Sequence, residues 1–250
     1  MKLFNDYPKD LIANIETEIE NYLTHNPSPH YAAFDADGTL WDIDAGEVFF
    51  EYQLNKCNLK NLPENPWKFY HDWKAHDPKG AYLWLAQINK GLPIEQVRKW
   101  GRDCLRESKN WPIFPSQRKL IHWLKNKGIR VFIVTASIKW AVEPFAELLG
   151  LHYDDVLGVE TEVLNGVVSE RQKGTITYKE GKSQKLLQYT DQVTPLLCSG
   201  NTMGDLQLLE CSKLIKLAVS SARPNTELYQ TESELKNIAV QRGWSHHTFS

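Results

Sequence analysis

The chain has 250 residues, 42% of them hydrophobic and 24% charged, with a formal net charge of −2. That length holds one large domain or a core domain with an insert, and a charge so near zero gives no reason to expect nucleic acid or an anionic membrane as partner. The longest apolar runs fall far short of the roughly 20 residues that span a bilayer, the segment Met1 to Pro8 lacks the apolar core of a secretory signal, and Cys57, Cys104, Cys198 and Cys211 show no metal-type spacing, so a reduced, cytoplasmic chain is expected.

In chain order, Leu11, Ile12, Ile15, Ile19, Tyr22 and Leu23 recur at helical spacing and predict an amphipathic helix over Asp10 to Leu23, stopped by Asn26-Pro27-Ser28-Pro29. Tyr31-Ala32-Ala33-Phe34 then reads as a buried strand that breaks into a loop at Gly38-Thr39. From Asp42 to Trp111 the texture changes. Aromatic residues crowd the segment, their spacing is helical, and Pro63, Pro66, Pro78 and Gly91 punctuate it, which predicts a small helical insert. The last helix of that insert starts at Pro93, with proline at an early helical position.

Beyond Ile113 the pattern alternates. A helix over Gln117 to Lys127 closes at Gly128, and the β-branched run Ile129 to Thr135 is a buried strand. A helix over Ile138 to Leu149 closes at Gly150, and Asn165-Gly166 between strand-like runs predicts a hairpin. Lys182 to Tyr189 is helical, Thr194 to Ser199 a strand, Leu206 to Cys211 helical and Leu214 to Val219 a further strand; the tail after Gly243 shows no pattern. Strands alternating with helices predict a parallel, doubly wound α/β sheet of Rossmann-like type. The expected partition is a core of residues 1–42 and 113–250 with a cap of residues 43–112.

Chemistry gathers at the predicted carboxyl ends of the strands, where sites in such sheets lie. Asp35 and Asp37 are two residues apart and share a face on a continuing strand. One carboxylate can attack as a nucleophile while the other exchanges protons with the leaving group, and a divalent cation relieves their repulsion. Asp-x-Asp alone is also common turn chemistry. Thr135 ends a strand, with the Ala136 and Ser137 amides beside it; Lys182 opens a helix; Asn201 and Asp205 follow the strand ending at Ser199. A nucleophile, donors around the equatorial oxygens and cations are what phosphoryl transfer requires.

The order Phe34-Asp35-x-Asp37-Gly38-Thr39, Val134-Thr135, Lys182 and Gly200-Asn201-x-x-x-Asp205 resembles the haloacid dehalogenase-like superfamily, across Tyr31 to about Val219. Within it the chain looks most like the phosphoserine phosphatase-like branch, which also places a helical cap between the first two motifs and carries a Leu-Pro-Ile-Glu-x-Val element, here Leu92 to Val97. The resemblance implies a phosphatase in which Asp35 forms an aspartyl-phosphate and Asp37 is the general acid/base. Thr135, Lys182 and the Ala136 amide would hold the phosphoryl group. Mg2+ would be held by Asp35, Asp37 (through its carbonyl), Asn201 and Asp205, directly or through water. Asp37 argues against a dehalogenase or a phosphoryl carrier, since each resembled class lacks that second carboxylate.

One position departs from the resembled pattern: Asn201 stands where an Asp is usual, and an amide brings no negative charge to a hard cation. On sequence alone an Asp there is expected to tighten Mg2+ binding, and a phospho-ligand-binding protein with weak or lost turnover is the competing reading. The substrate is expected to be a small phosphorylated metabolite, selected by the cap. The stretch Gly80 to Gln87 contains no arginine for an amino-acid carboxylate, whereas Asp44 and Glu47 with the cap aromatics suit a cationic leaving group such as an amino alcohol or choline. The same aromatics also suit the cap's own core.

Overall fold

The computed structural model describes residues 4–107 and 112–250. Its centre is β1 (Tyr31–Phe34), in which Ala32, Ala33 and Phe34 are fully buried. β2 (Arg130–Ile138) pairs parallel on one side of it and β6 (Leu197–Gly200) on the other, with Ala33 opposite both Phe132 and Cys198. β3 (Val156–Val159) extends the sheet beyond β2, and β7 (Ile215–Ser220) and β8 (Ser245–Thr248) extend it beyond β6. The strand order β3-β2-β1-β6-β7-β8 is parallel throughout. Connections run outward in opposite directions from β1 and β6, so the crevice at their carboxyl ends is where the polar groups collect.

Alternation along the strands feeds two apolar layers. On one face Ala32, Phe34, Val131 and Ile133 pack with Ile15 and Ile19 of α1 (Lys9–His25), Leu120 and Leu124 of α6 (Pro115–Asn126), and Val142 and Phe145 of α7 (Lys139–Leu148). On the other, Ala33, Phe132, Val134 and Cys198 pack with Leu186 of α8 (Glu180–Tyr189) and Leu208 of α9 (Leu206–Glu210). Each such fully buried side chain contributes ~1.5–3 kcal/mol relative to exposure.

The insert is helical as expected: α2 (Ala45–Lys56), α3 (Pro66–His76), α4 (Pro78–Gln87) and α5 (Ile94–Glu107). Pro66 and Pro78 stand in first turns capped by Asn65 and Asp77, whose side chains accept the amides of Lys68 and Gly80. Phe49, Phe50, Tyr70, Leu85 and Val97 form its core, which runs on into Ile138, Trp140 and Ala141 of the sheet domain. Trp111, the expected last aromatic of the insert, lies outside the described residues.

Four features differ from the sequence expectation or go beyond it. β2 continues three residues past Thr135, because after a register shift Ile138 pairs with Val159. The hairpin of β4 (Thr161–Leu164) and β5 (Val167–Gln172) turns at Asn165 (φ 50°) and Gly166 (φ 79°), then leaves the sheet to bind the cap. There the Gly91 and Ile94 amides donate to the carbonyls of Val168 and Gly166, and the Val168 amide to that of Leu92, each at 2.9 Å. A further helix, α10 (Glu227–Gln241), covers β7 through Leu235 and Ala239. The patternless tail forms β8 and buries Phe249 against Phe114, ring centroids 4.1 Å apart. Among the described residues no helix is long and apolar enough to cross a membrane.

Candidate active site

Asp35 leaves β1 at its carboxyl end, tied by its amide to the Ser199 carbonyl at 2.9 Å, and is 5% exposed. Its carboxylate is gripped from two sides. Lys182 Nζ donates to Oδ1 at 2.5 Å, and the Thr39 hydroxyl, which also lies 3.2 Å from Asn201 Oδ1, to Oδ2 at 3.0 Å. Lys182 reaches it from the first turn of α8. Its neighbour Gly181 has no alternative there: a Cβ would lie 2.0 Å from the Ile176 carbonyl oxygen. Burial works against the Lys182 charge, but Asp205 and Asp35 outweigh it and raise its pKa, so it stays an ammonium. Burial, then the charge of Asp205, push the Asp35 carboxyl up to about 6, with Lys182 pulling the other way. At neutral pH the pair is therefore ionised, leaving a carboxylate free to attack.

Asp37 is fixed from three directions. Oδ1 accepts from Trp41 Nε1 at 2.7 Å and from the Ala45 amide at 2.8 Å, while Oδ2 accepts from the Ser137 hydroxyl at 2.6 Å. Burial, then Asp44, push its carboxyl up to about 8, a value suited to an acid that must hold a proton near neutrality. Thr135 is 1% exposed; its Oγ1 accepts the Ser137 amide at 3.0 Å, which leaves its own proton to donate, and its carbonyl accepts from Thr177 at 2.5 Å.

Asp35, Asp37, Thr135, Ala136, Lys182 and Asn201 together line a cavity of about 340 Å³, near the lower end of the range for small-molecule sites. Asp44, Tyr70 and Tyr82 line it from the cap side, and Tyr178, just before α8, meets the Tyr82 ring there. Asp205 stands behind this lining. Oδ1 accepts Lys182 at 2.5 Å and Oδ2 the amides of Asn201 and Thr202 at 3.1 and 3.0 Å, so its carboxylate acts on the lysine and on the loop. Glu47 is bonded to Lys74 at 2.7 Å, and its amide donates to Asp44, the N-cap of α2. The expected pair Asp44 and Glu47 thus divides, with Asp44 at the cavity and Glu47 on Lys74.

Of the four residues that hold Mg2+ in the resembled pattern, Asp35, Asp37 and Asn201 line the cavity and carry carboxylate, carbonyl and amide oxygens, whereas Asp205 gives its oxygens to Lys182 and to the Asn201 and Thr202 amides. An all-oxygen set fits a hard cation. Among the described residues no group of three or more His, Cys, Asp or Glu is placed to hold a metal, consistent with the amide at 201. Gly38, at φ +78°, permits this packing, since a Cβ would lie 2.0 Å from Asn201 Nδ2.

Sequence reasoning did not single out Ser137 as a partner of Asp37, although it named the residue, nor Lys74 or Glu232. Ser137 follows Thr135 closely and is within reach of the motif; Lys74 lies outside the stretch Gly80 to Gln87, which holds no arginine. Glu232 gives no sequence signal at all.

A parallel α/β sheet carries an acid pair at its switch point, with a buried lysine beside it and a helical cap over it. The profile of the haloacid dehalogenase-like hydrolases matches residues 32–210, and the chain belongs to that family. It is similar to a phosphorylcholine phosphatase of Pseudomonas aeruginosa, 23% identical over 67% of this chain, and spans 59% of that relative's length. A histidinol-phosphatase of Neisseria meningitidis is 24% identical over 85% of this chain and 96% of its own. Among solved structures, a conserved protein of unknown function from Anaerococcus prevotii superposes with a TM-score of 0.71 at 15% identity, over 100% of this chain and 96% of that one, which is a likeness of fold.

Proposed function

We propose that the chain is a Mg2+-dependent phosphatase that hydrolyses a small phosphomonoester through an aspartyl-phosphate on Asp35. The observation that carries this reading is the ionised Asp35 carboxylate, held by Lys182 and Thr39, facing the same cavity as a second, proton-holding carboxyl on Asp37. An Asp35 oxygen attacks phosphorus, the ester P–O bond breaks, and the Asp37 proton goes to the departing alkoxide. The resulting Asp37 carboxylate then takes a proton from water, whose oxygen displaces Asp35 and releases phosphate. Thr135 and Lys182 donate to the phosphoryl oxygens. Asp35, the Asp37 carbonyl and Asn201 would hold Mg2+, which would supply positive charge to the phosphoryl group.

The leaving group is an alcohol carrying a cationic nitrogen. Lys74 sits 5.5 Å from the Tyr70 ring and 5.7 Å from Tyr82, so the cap already pairs these faces with a cation. Its charge is shared between Glu47, bonded at 2.7 Å, and Asp44 at the cavity wall, so two carboxylates face one ammonium. Phosphorylcholine and histidinol phosphate, named in two relatives, are esters of such alcohols. Phosphate release over a panel of metabolite phosphates with Mg2+ tests both parts: amino-alcohol esters should turn over fastest. The amide at Asn201 favours one other reading, a phospho-ligand-binding protein. Para-nitrophenyl phosphate that is bound but not hydrolysed in the presence of Mg2+ would select it.

A further inference from the structure

Behind Asn201 lies a carboxylate with no counterpart in the sequence motifs. Glu232 of α10 is 1% exposed, and both of its oxygens are engaged. Oε2 accepts the amides of Ser221 and Ala222 at 2.9 Å each, at the end of β7, and Oε1 accepts Asn201 Nδ2 at 2.9 Å. The preceding residue, Thr231, accepts the Met203 amide at 3.1 Å, so α10 grips the loop after β6 at two points. Ser221 further joins this shell to Asp42, its hydroxyl donating to Oδ1 at 3.0 Å.

We infer that Glu232 is a positioning residue matched to Asn201: it turns the amide so that Oδ1 faces the cation, and it supplies from behind the negative charge that an aspartate at 201 would have supplied directly. This rests on the reading of Asn201 Oδ1 as a Mg2+ ligand. Both Glu232 oxygens accept here, Oε2 from two backbone amides and Oε1 from Asn201 Nδ2, so the NH2 side of Asn201 faces it. The oxygen is thereby directed at Thr39 and the cavity. An amide fixed in this way loses no free energy to flipping when a cation binds, and a carboxylate hydrogen-bonded behind it still polarises it toward the metal.

The pairing turns round the expectation for Asn201→Asp. An aspartate would set a carboxylate oxygen about where Nδ2 now stands, 2.9 Å from Glu232 Oε1, and two anions at that separation repel. Glu232→Gln fails for the complementary reason. The Ser221 and Ala222 amides claim the glutamine oxygen, its NH2 then faces Asn201, and Asn201 must turn its own NH2 toward the cation. The double variant Asn201→Asp/Glu232→Gln satisfies every group: the NH2 of the introduced glutamine donates to the introduced aspartate, and the glutamine oxygen accepts the two backbone amides.

The test is Mn2+ binding followed by electron paramagnetic resonance, with Mg2+ as competitor, alongside thermal melting of the metal-free proteins. Each single variant should weaken binding roughly ten- to a hundredfold, the range for partners of metal ligands, and the double variant should recover most of it. A merely structural Glu232 would lower melting in Glu232→Gln with no recovery of metal affinity in the double variant, which would overturn the inference. So would tighter binding by Asn201→Asp alone. If wild type binds Mn2+ and all three variants match it, the pairing fails and the active-site reading stands; if wild type binds no divalent cation, both fall.

Discussion

Ser137 donates its hydroxyl to Asp37 Oδ2 at 2.6 Å from a strand a hundred residues further along the chain. The same residue gives its amide to Thr135, so one position orients both the proposed proton donor and the hydroxyl proposed to bind the phosphoryl group. Ser137→Ala should lower kcat about tenfold or more, because the bond reaches the ~1.5–3 kcal/mol of a hydrogen bond to a charged group as Asp37 gives up its proton. The sign of its effect on Asp37 is fixed: that bond lowers the Asp37 pKa, so its loss raises it further. The pH-dependence of kcat in Ser137→Ala should accordingly move to higher pH.

Asp35→Asn should abolish covalent labelling and hydrolysis together, and beryllium trifluoride should seat on the wild-type Asp35 carboxylate. Asp37→Asn should spare the departure of good leaving groups in the first step, while hydrolysis of the aspartyl-phosphate slows for every substrate. An amide cannot hand a proton to an alkoxide, but para-nitrophenolate leaves without one. The ratio of losses in the single-turnover release of alcohol from an alkyl phosphate and of para-nitrophenolate from its ester is the readout; equal losses there would remove the acid role.

In the metal-free protein, Asp37 carries a pKa raised from 3.8 to about 8 by burial and then by Asp44. The folded state thus holds this proton more tightly than the unfolded chain. Its stabilising contribution is complete below the unfolded value, and stability falls as pH rises from about 4 through 8. Asp44→Asn removes one raising charge, so Asp37 should titrate at lower pH and the fall should become shallower. Carbon-13 titration of the carboxyls and melting against pH, both without metal, check this.

Much of this arrangement is legible in one sequence because it is local or periodic. The apolar run before Asp35, the β-branched run before Thr135 and the Asn165-Gly166 turn each carry their own cause within a few residues. What stays hidden is long-range. Ser245-His246-His247-Thr248 has no apolar alternation and becomes an edge strand only because β7 offers unpaired backbone groups. Glu232 reads as one more surface glutamate until α10 is laid over β7. The cap aromatics suit two roles by composition, and packing assigns them: Phe50 meets Trp67, Tyr70 and Trp84 within the cap core, while Tyr70 and Tyr82 also reach the cavity.

The tail has a measurable weight. Phe249 is fully buried and stacks on Phe114, whose amide donates to the Leu40 carbonyl in the loop carrying Asp37. Phe249→Ala should cost ~3–5 kcal/mol, as large-to-small changes at buried aromatics do. Because the support runs on to Leu40, mild denaturant should cost this variant activity before it costs secondary structure. Loss of both at one midpoint would show that β8 supports the whole sheet and not that loop in particular.

On the proposed function, selection of the leaving group comes down to three charges on the cap. Asp44 is buried at the cavity wall, Glu47 is bonded to Lys74, and Lys74 lies near the Tyr70 and Tyr82 rings. If the leaving group is cationic, Asp44→Asn should raise KM for an amino-alcohol phosphate by the equivalent of ~1–3 kcal/mol and leave para-nitrophenyl phosphate nearly unchanged. Glu47→Gln, the exchange that sequence alone would put first, should act more weakly, because Glu47 already answers Lys74 and loses its effect on substrate by doing so. Lys74→Met carries the sharper distinction. Removing an ammonium from beside the two tyrosine rings frees their faces and unmasks Glu47, so KM for a cationic substrate should fall. A carboxylate-bearing leaving group would lose its counter-ion in the same variant, and its KM would rise. Opposite signs from one substitution therefore separate an amino alcohol from an amino acid, with para-nitrophenyl phosphate, whose leaving group carries no cationic nitrogen, as the internal reference.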